Sequence, residues 1–205
     1  VRSAVPLLTR ATPLIGHFQI RSRGTLGGSI AHADPAAEYP AVAVALDAEM
    51  ETVSPSGRRT VPARDFFSGV WETAMASDEI LTAVRFPVWS GRCGFAVEEF
   101  ARRHGDFAIA GVAVAVELDG DDRVRRCGIG LLGLSATPRR ATAAESAVTG
   151  RAVGELSIDD VGELAMAGLD DIPADLQGSA DYRRRVGAAM AAQAWQQATK
   201  EALDA

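Results

Sequence analysis

The sequence predicts an α+β fold. In its second half three strand-like runs precede three helical ones, without the strict βαβ alternation that builds a parallel sheet. The turn Asp119-Gly120-Asp121-Asp122, a strong hairpin signal, joins two of those runs. The 205 residues are 47% hydrophobic, enough for a real core in one ordinary domain, or in a small domain with an appendage.

Taken in order, residues 3–14 read as a short amphipathic helix, with Leu7, Leu8, Ala11 and Leu14 near the helical spacing and Pro6 in the first turn. Residues 18–23 alternate in the manner of a strand, and Gly24-Thr25-Leu26-Gly27-Gly28 reads as a glycine-punctuated turn. Pro35 to Glu38 opens a helix running to about residue 46, with proline and a carboxylate in its first turn. Residues 49–53 and 58–61 flank Pro55-Ser56-Gly57 as a hairpin, a short helix covers 63–67, and 79–86 is a strand. The pattern breaks at 87–91. Strand-like runs follow at 94–102, 106–118 and 124–134, then helices at 141–148, 158–167 and 179–203. The last is the most regular, with Tyr182, Val186, Met190, Ala194 and Ala198 four residues apart.

Composition narrows the function classes. A net charge of −6 and a pI near 5.1 argue against a nucleic-acid backbone or an anionic membrane surface as the main partner. No apolar run approaches the roughly 20 residues of a membrane span; the longest, 109–116, is strand-sized. Cys93 and Cys127 are too few for a disulfide framework and lack metal-ligand spacing, and His17, His32 and His104 are scattered. The two cysteines read as buried small hydrophobes. Val1 is not followed by a signal-peptide pattern, so the numbering is expected to open inside a longer protein or at a processed end.

The informative stretch is Arg21 to Pro35. Paired glycines let backbone N–H groups converge on an anion, and the Thr25 and Ser29 hydroxyls flank them as donors to phosphate oxygens. Glu38, downstream, can accept from ribose or ribityl hydroxyls. The spacing is neither the Rossmann G-x-G-x-x-G nor a P-loop. On composition alone, a tight turn needing glycine only for positive φ is the commoner explanation.

Three blocks carry a resemblance over nearly the whole chain. Residues 19–35, Gln-Ile-Arg-Ser-Arg-Gly-Thr-Leu-Gly-Gly-Ser-Ile-Ala-His-Ala-Asp-Pro, resemble the second FAD-binding motif of the molybdenum hydroxylase flavoproteins, the medium subunits of aerobic carbon monoxide dehydrogenase and the middle portion of xanthine dehydrogenase. Residues 98–108, Glu-Glu-Phe-Ala-Arg-Arg-His-Gly-Asp-Phe-Ala, resemble the segment near the flavin ring that opens the family's C-terminal domain. Residues 180–186, Ala-Asp-Tyr-Arg-Arg-Arg-Val, resemble its closing helix.

The resemblance implies the second half of a vanillyl-alcohol-oxidase-type FAD domain over 1–90. A three-stranded antiparallel sheet plus helical bundle over 91–205 follows it. The family's first FAD motif, a loop of the Ala-Gly-Gly-Gln/Thr-Ser/Asp type, is absent, and residues 1–24 leave no room for it. Either the N-terminal subdomain is missing or the chain is truncated, and half of the pyrophosphate cradle goes with it.

Carried over by position, Thr25, Leu26, Gly27, Gly28 and Ser29 are expected at the pyrophosphate, and Glu38 at the hydroxyl-bearing portion. Thr82 is expected beside the cofactor and Phe107 near the isoalloxazine, an ordinary core phenylalanine being the other reading of Phe107. Glu99 stands where several relatives have a lysine near the flavin, and a carboxylate cannot stabilise a reduced, anionic flavin. Arg102, Arg103 and Asp106 read as a local ion-pair network or a solvated surface, and 183–185 as a solvent or inter-subunit face. No catalytic or metal-binding residue is assigned to this chain.

The implied function is an FAD-containing oxidoreductase subunit, cytoplasmic and active only in complex. It would pass electrons from iron–sulfur clusters to an external acceptor. The molybdenum cofactor would lie on a large partner subunit and the [2Fe-2S] clusters on a small one, since no four-cysteine set exists here, in a dimer of heterotrimers. The competing class is a non-catalytic structural or interaction domain of the same fold that has lost its flavin.

Overall fold

A computed structural model describes residues 2–155 and 157–205. Helix α1 (Pro6–Ala11) is shorter than the pattern suggested and buries Leu7, Leu8 and Ala11. Residues 18–23 are not a strand: they contain a short helix, α2 (Phe18–Arg21). The Ile20 and Arg21 N–H groups both donate to the His17 carbonyl. Arg21 Nη1 donates to the Ile15 and Gly16 carbonyls at 2.9 and 2.7 Å, which closes the turn locally. Phe18, 73% exposed, and Ile20 face outward, so their alternation does not mark a buried strand face.

The glycine pair lies inside a helix, α3 (Leu26–His32), and neither glycine has positive φ. Helix α4 (Glu38–Ala45) starts three residues later than expected. Asp34 Oδ1 accepts the Ala36 N–H at 2.9 Å and the Asp34 carbonyl accepts the Ala37 N–H. This Asx turn holds 34–37 out of the helix. The proline in the first turn is therefore Pro40, whose missing N–H would have been unsatisfied there anyway.

Strands β1 (Glu49–Ser54) and β2 (Gly57–Pro62) form the expected hairpin, with Ser54 paired to Gly57 across Pro55-Ser56. Helix α5 (Ala63–Phe66) leads into a small antiparallel ribbon of β3 (Phe67–Gly69) and β4 (Glu72–Thr73), which no sequence pattern announced. Strand β5 (Ile80–Arg85) completes a sheet of order β2-β1-β5.

The second half is built on β6 (Arg92–Phe100), β7 (Ala110–Leu118) and β8 (Val124–Leu132), paired antiparallel. A two-residue edge strand, β9 (Arg139–Arg140), makes the sheet four-stranded rather than three-stranded. Helices α6 (Thr142–Val148), α7 (Ile158–Ala165) and α8 (Ala180–Leu203) follow. Ser179 caps α8 by accepting the Tyr182 N–H at 3.2 Å.

Alternation along β7 sorts the two faces of this sheet. Val112, Val114 and Val116 join Ile129, Leu131, Trp195 and Ala198 under the C-terminal helices. Ala113 and Ala115 face the other way and pack with Leu7, Leu8, Val42 and Ala45 of α1 and α4. On that second face β8 presents Gly128 and Gly130, where an added Cβ would run into the carbonyl oxygens of Ala45 and Ala41. Helix α4 thus lies directly on sheet backbone. It is buried on all sides, because Ala43 and Val44 enter a third cluster with Ile30, Met50 and Phe66. Such all-round burial is the mark of a helix enclosed in a core.

The arginines at 183–185 are not one exposed face. Arg183 is 4% exposed: Nη1 donates to the Ile109 carbonyl at 2.6 Å and the Gly133 carbonyl at 3.1 Å, and Nη2 meets Asp175 Oδ2 at 2.7 Å. Arg184 donates to the Met166 and Leu169 carbonyls, and Arg185 is exposed. These guanidinium groups satisfy loop carbonyls that have no strand or helix partner.

Gly130→Ala is expected to lower stability by about 3 kcal/mol, because a methyl group there must push α4 off the sheet. Urea denaturation followed by circular dichroism reads this as a lower midpoint. An unchanged midpoint would show that α4 is not seated as closely as described.

Candidate functional site

The site begins at Thr25. Its extended backbone (φ −128°, ψ 154°) turns the chain into α3, and Oγ1 accepts the Gly28 N–H at 2.9 Å. That cap explains Gly28, since a Cβ there would lie 2.9 Å from Thr25 Oγ1. Gly27 has a different reason to be small: a Cβ at Gly27 would meet nothing within 4 Å. Glycine in a helix costs about 1 kcal/mol relative to alanine, and neither packing nor φ within this chain requires it at 27.

Above α3 opens a cavity of about 480 Å³, within the range of small-molecule and cofactor sites. Thr25, Leu26, Gly28 and Ser29 form one wall, Glu38 stands at another, and Phe107 closes a third. Three segments far apart in sequence therefore meet at one cavity. Gly27 lies in the same helical turn but not on the cavity wall. Thr82 stands apart on β5, where its hydroxyl donates to the Glu51 carbonyl at 3.1 Å.

Phe107 is not a core residue. It sits in the loop before β7 and is 60% exposed. That loop turns at Gly105, whose φ of 88° is a conformation that favours glycine and which lies against the His17 ring. Arg102, Arg103 and Asp106 are exposed in the same loop and form no ion pair with one another among the described residues.

Several wall residues carried no assigned role at the level of sequence. Arg21 and Arg23 line the cavity beside the α3 start, and both were legible as cations inside the glycine motif. Tyr39 lines it too, its hydroxyl 2.9 Å from Thr12 Oγ1. His32, on the wall, stacks on Trp71 with ring centroids 6.2 Å apart, and Trp71 Nε1 donates to Asp34 Oδ2 at 3.1 Å.

Electrostatics divide the cavity. Its α3 end carries arginines and the positive end of a short helix. The cavity also carries Glu38, only 7% exposed, whose carboxyl is pushed up to about 7 chiefly by burial, with a backbone hydrogen bond opposing the rise and the charge of Asp34 adding to it. Glu99, on β6, is likewise pushed up to about 7, by burial and then by the charge of Glu38. Glu99 Oε2 is sealed from solvent and has no hydrogen-bond partner.

Residues 1–89 match the family described as the FAD binding domain in molybdopterin dehydrogenase, and residues 95–198 match the CO dehydrogenase flavoprotein C-terminal domain. The chain belongs to the FAD-binding medium-subunit family of the molybdenum hydroxylases. Among its relatives, the caffeine dehydrogenase subunit beta of Pseudomonas sp. (strain CBB1) is 39% identical over 94% of this chain and 65% of its own. The carbon monoxide dehydrogenase medium chain of Hydrogenophaga pseudoflava is 35% identical over 93% of this chain and 66% of its own. The solved structure of carbon monoxide dehydrogenase from that organism, in a form lacking the Mo-pyranopterin moiety, superposes with a TM-score of 0.93 at 36% identity, over 98% of this chain and 69% of that one. The chain spans about two thirds of the length of the curated relatives it matches.

The two cysteines lie away from the cavity. Cys127 is buried, and Cys93 is half-buried with its thiol pushed up to about 11, chiefly by burial. Among the described residues no cluster of three or more His, Cys, Asp or Glu is placed to hold a metal. Both thiols are expected to resist an aromatic disulfide reagent at neutral pH in the native chain and to react fully in urea. Fast native labelling would contradict this burial.

Proposed function

We propose that this chain is the FAD-holding part of a flavoprotein medium subunit in a molybdenum-containing hydroxylase or dehydrogenase complex. The observation that carries the reading is the meeting of Thr25, Leu26, Gly28, Ser29, Glu38 and Phe107 around one cavity in a chain of this family. The residues present fit the cofactor. Thr25, Gly28 and Ser29 line a cavity wall that also carries Arg21 and Arg23, a setting suited to a pyrophosphate. Leu26 lines the same wall, Glu38 takes the hydroxyl-bearing portion, and Phe107 covers the flavin ring. Thr82, bonded to the Glu51 carbonyl on β5, stands outside this set.

Residues 1–90 act as the second half of a vanillyl-alcohol-oxidase-type FAD domain and residues 91–205 as the C-terminal domain. The flavin, when bound, supplies one- and two-electron transfer. This chain's residues bind it, orient it and set the charge around it. Electrons reach this subunit from iron–sulfur clusters on a small partner subunit. The substrate is oxidised at a molybdenum cofactor on a large one, within a dimer of heterotrimers in the cytoplasm. Among the described residues no helix is long and apolar enough to cross a membrane.

The test is purification of the full-length protein from its native complex and measurement of its visible absorbance. Flavin bands with stoichiometric FAD are expected; their absence would favour a structural domain that has lost the cofactor. Ser29→Ala sharpens the test. It removes a hydroxyl from the cavity wall and is expected to lower FAD affinity about tenfold while leaving the fold intact. Unchanged affinity would remove Ser29 from the binding site.

A further inference from the structure

Residues 93, 95, 97 and 99 of β6 share one face, toward α1 and α4. Phe95 is buried there and Cys93 and Val97 pack beside it. The fourth position of this apolar row is Glu99. Opposite it on β7 is Gly111, where an added Cβ would come within 2.9 Å of Glu99 Cβ and 3.0 Å of the Leu132 side chain. The glycine makes room for a carboxyl group in a packed layer.

Helix α4 brings a second carboxyl group to the same place. Its Ala41 lies over Gly130 and packs with Leu132 and Ala108, so Glu38, three residues earlier, stands at the Gly111–Leu132 end of the sheet. Among the described residues neither carboxyl is in a salt bridge, and Arg23, on the same cavity wall as Glu38, makes none with it. Arg10 of α1 is bound to the Phe95 carbonyl and Glu201. Arg183 of α8 is engaged with Ile109, Gly133 and Asp175 on the other side of the sheet. Arg21 of α2 is turned to the Ile15 and Gly16 carbonyls. Of the other groups nearby, Asp34 adds negative charge, the Tyr39 hydroxyl is bonded to Thr12, His32 is exposed, and Glu98 faces α8 through Gln197.

We propose that Glu38 and Glu99 share one proton behind the cavity wall, with Glu99 a positioning residue that keeps Glu38 able to donate as well as accept a hydrogen bond. Two carboxylates drawn out of water at the same end of the sheet without a salt bridge cannot both stay ionised cheaply. The charge of Glu38, when ionised, strengthens the hold of Glu99 on its proton, so the two carboxyls titrate as a pair. Loss of that proton places a second negative charge beside an anionic dinucleotide. This last step rests on the FAD reading, whereas the shared proton rests on the chain alone.

Both carboxyls are raised in the folded chain above their ordinary 4.5. The stability contributed by the proton is therefore complete below about pH 4.5 and is lost as pH rises through about 7. Glu99→Gln stays neutral throughout.

The experiment uses the full-length flavoprotein, stripped of FAD and then titrated with it. In the stripped protein, infrared difference spectra of the wild type should lose a protonated-carboxyl band between about pH 6 and pH 8. Glu99→Gln should lose about half as much of that band over the same range, because Glu38 alone then titrates, and should melt above the wild type at pH 8 but not at pH 5. A wild type without such a band, or identical melting profiles for the two proteins, overturns the shared proton even if the variant folds poorly. With FAD, the wild-type dissociation constant should rise about tenfold from pH 6 to pH 8 and that of Glu99→Gln less than about threefold. Tight binding with the same pH slope in both overturns the coupling to the ligand. FAD that fails to bind at any pH refutes the functional reading and leaves the infrared result to decide the pair.

Discussion

The close seat of α4 on the glycine face of the second sheet is the constraint on which the rest of the molecule depends. Gly128 and Gly130 bring two helix carbonyls down onto β8, and Ala113 and Ala115 keep the neighbouring strand low enough for the helix to fit. Gly94 does the same on the opposite face, where a Cβ would meet the Ala198 carbonyl of α8. Backbone-to-backbone packing of this kind allows little adjustment, because no side chain can rotate to absorb an error. It fixes the height and direction of α4, and so the place of Glu38 at its first turn. Since α4 also buries Ala43 and Val44 against the hairpin sheet, one short helix joins the two halves of the chain.

A second constraint ties the loops to that frame. Arg183 holds the Ile109 carbonyl, just past Phe107, and the Gly133 carbonyl, while the Gly133 N–H donates to the Pro35 carbonyl at 2.8 Å. The loop carrying Phe107 and the segment leading to Glu38 are thus linked through one buried guanidinium and one glycine. The cost of burying that charge is offset by Asp175 and by two carbonyls that would otherwise be orphaned. Two walls of the cavity therefore share a support that lies outside it.

Much of this was legible in the sequence, and the reasons are local. The β1–β2 hairpin, the three long strands and α8 with its Ser179 cap all follow from patterns complete within a few residues. What escaped depended on partners elsewhere. Residues 18–23 alternate like a strand, yet no neighbour offers a ladder and Arg21 closes a turn instead. Gly27 and Gly28 were readable as a turn because glycine pairs usually are, whereas Thr25 caps them into a helix. β9 exists only because β8 offers it an edge. Arg183 sat in a run of arginines that looked solvated, and only the loops it binds reveal it as internal. At the site, the resemblance pointed to the α3 start, Glu38 and Phe107, which meet at the cavity, while Thr82 does not reach it.

Charge explains why a chain with a net charge of −6 can still offer a place to a dinucleotide. The excess negative charge is not spread evenly over the site. Arg21 and Arg23, which precede α3, make that part of the cavity favourable to phosphate, while Asp34 and Glu38 follow its C-terminal end and Glu99 stands behind the wall. A ligand carrying anionic phosphates at one point and neutral hydroxyls at another meets attraction only in one orientation. Reversing it would put phosphate beside buried carboxyls and leave the arginines facing hydroxyls. The difference grows where water is excluded, because burial weakens the screening that would otherwise blur the two ends. On the proposed reading, the cavity selects the direction of the cofactor by this polarity, and the flavin ring falls on the Phe107 side because the phosphates are held at α3.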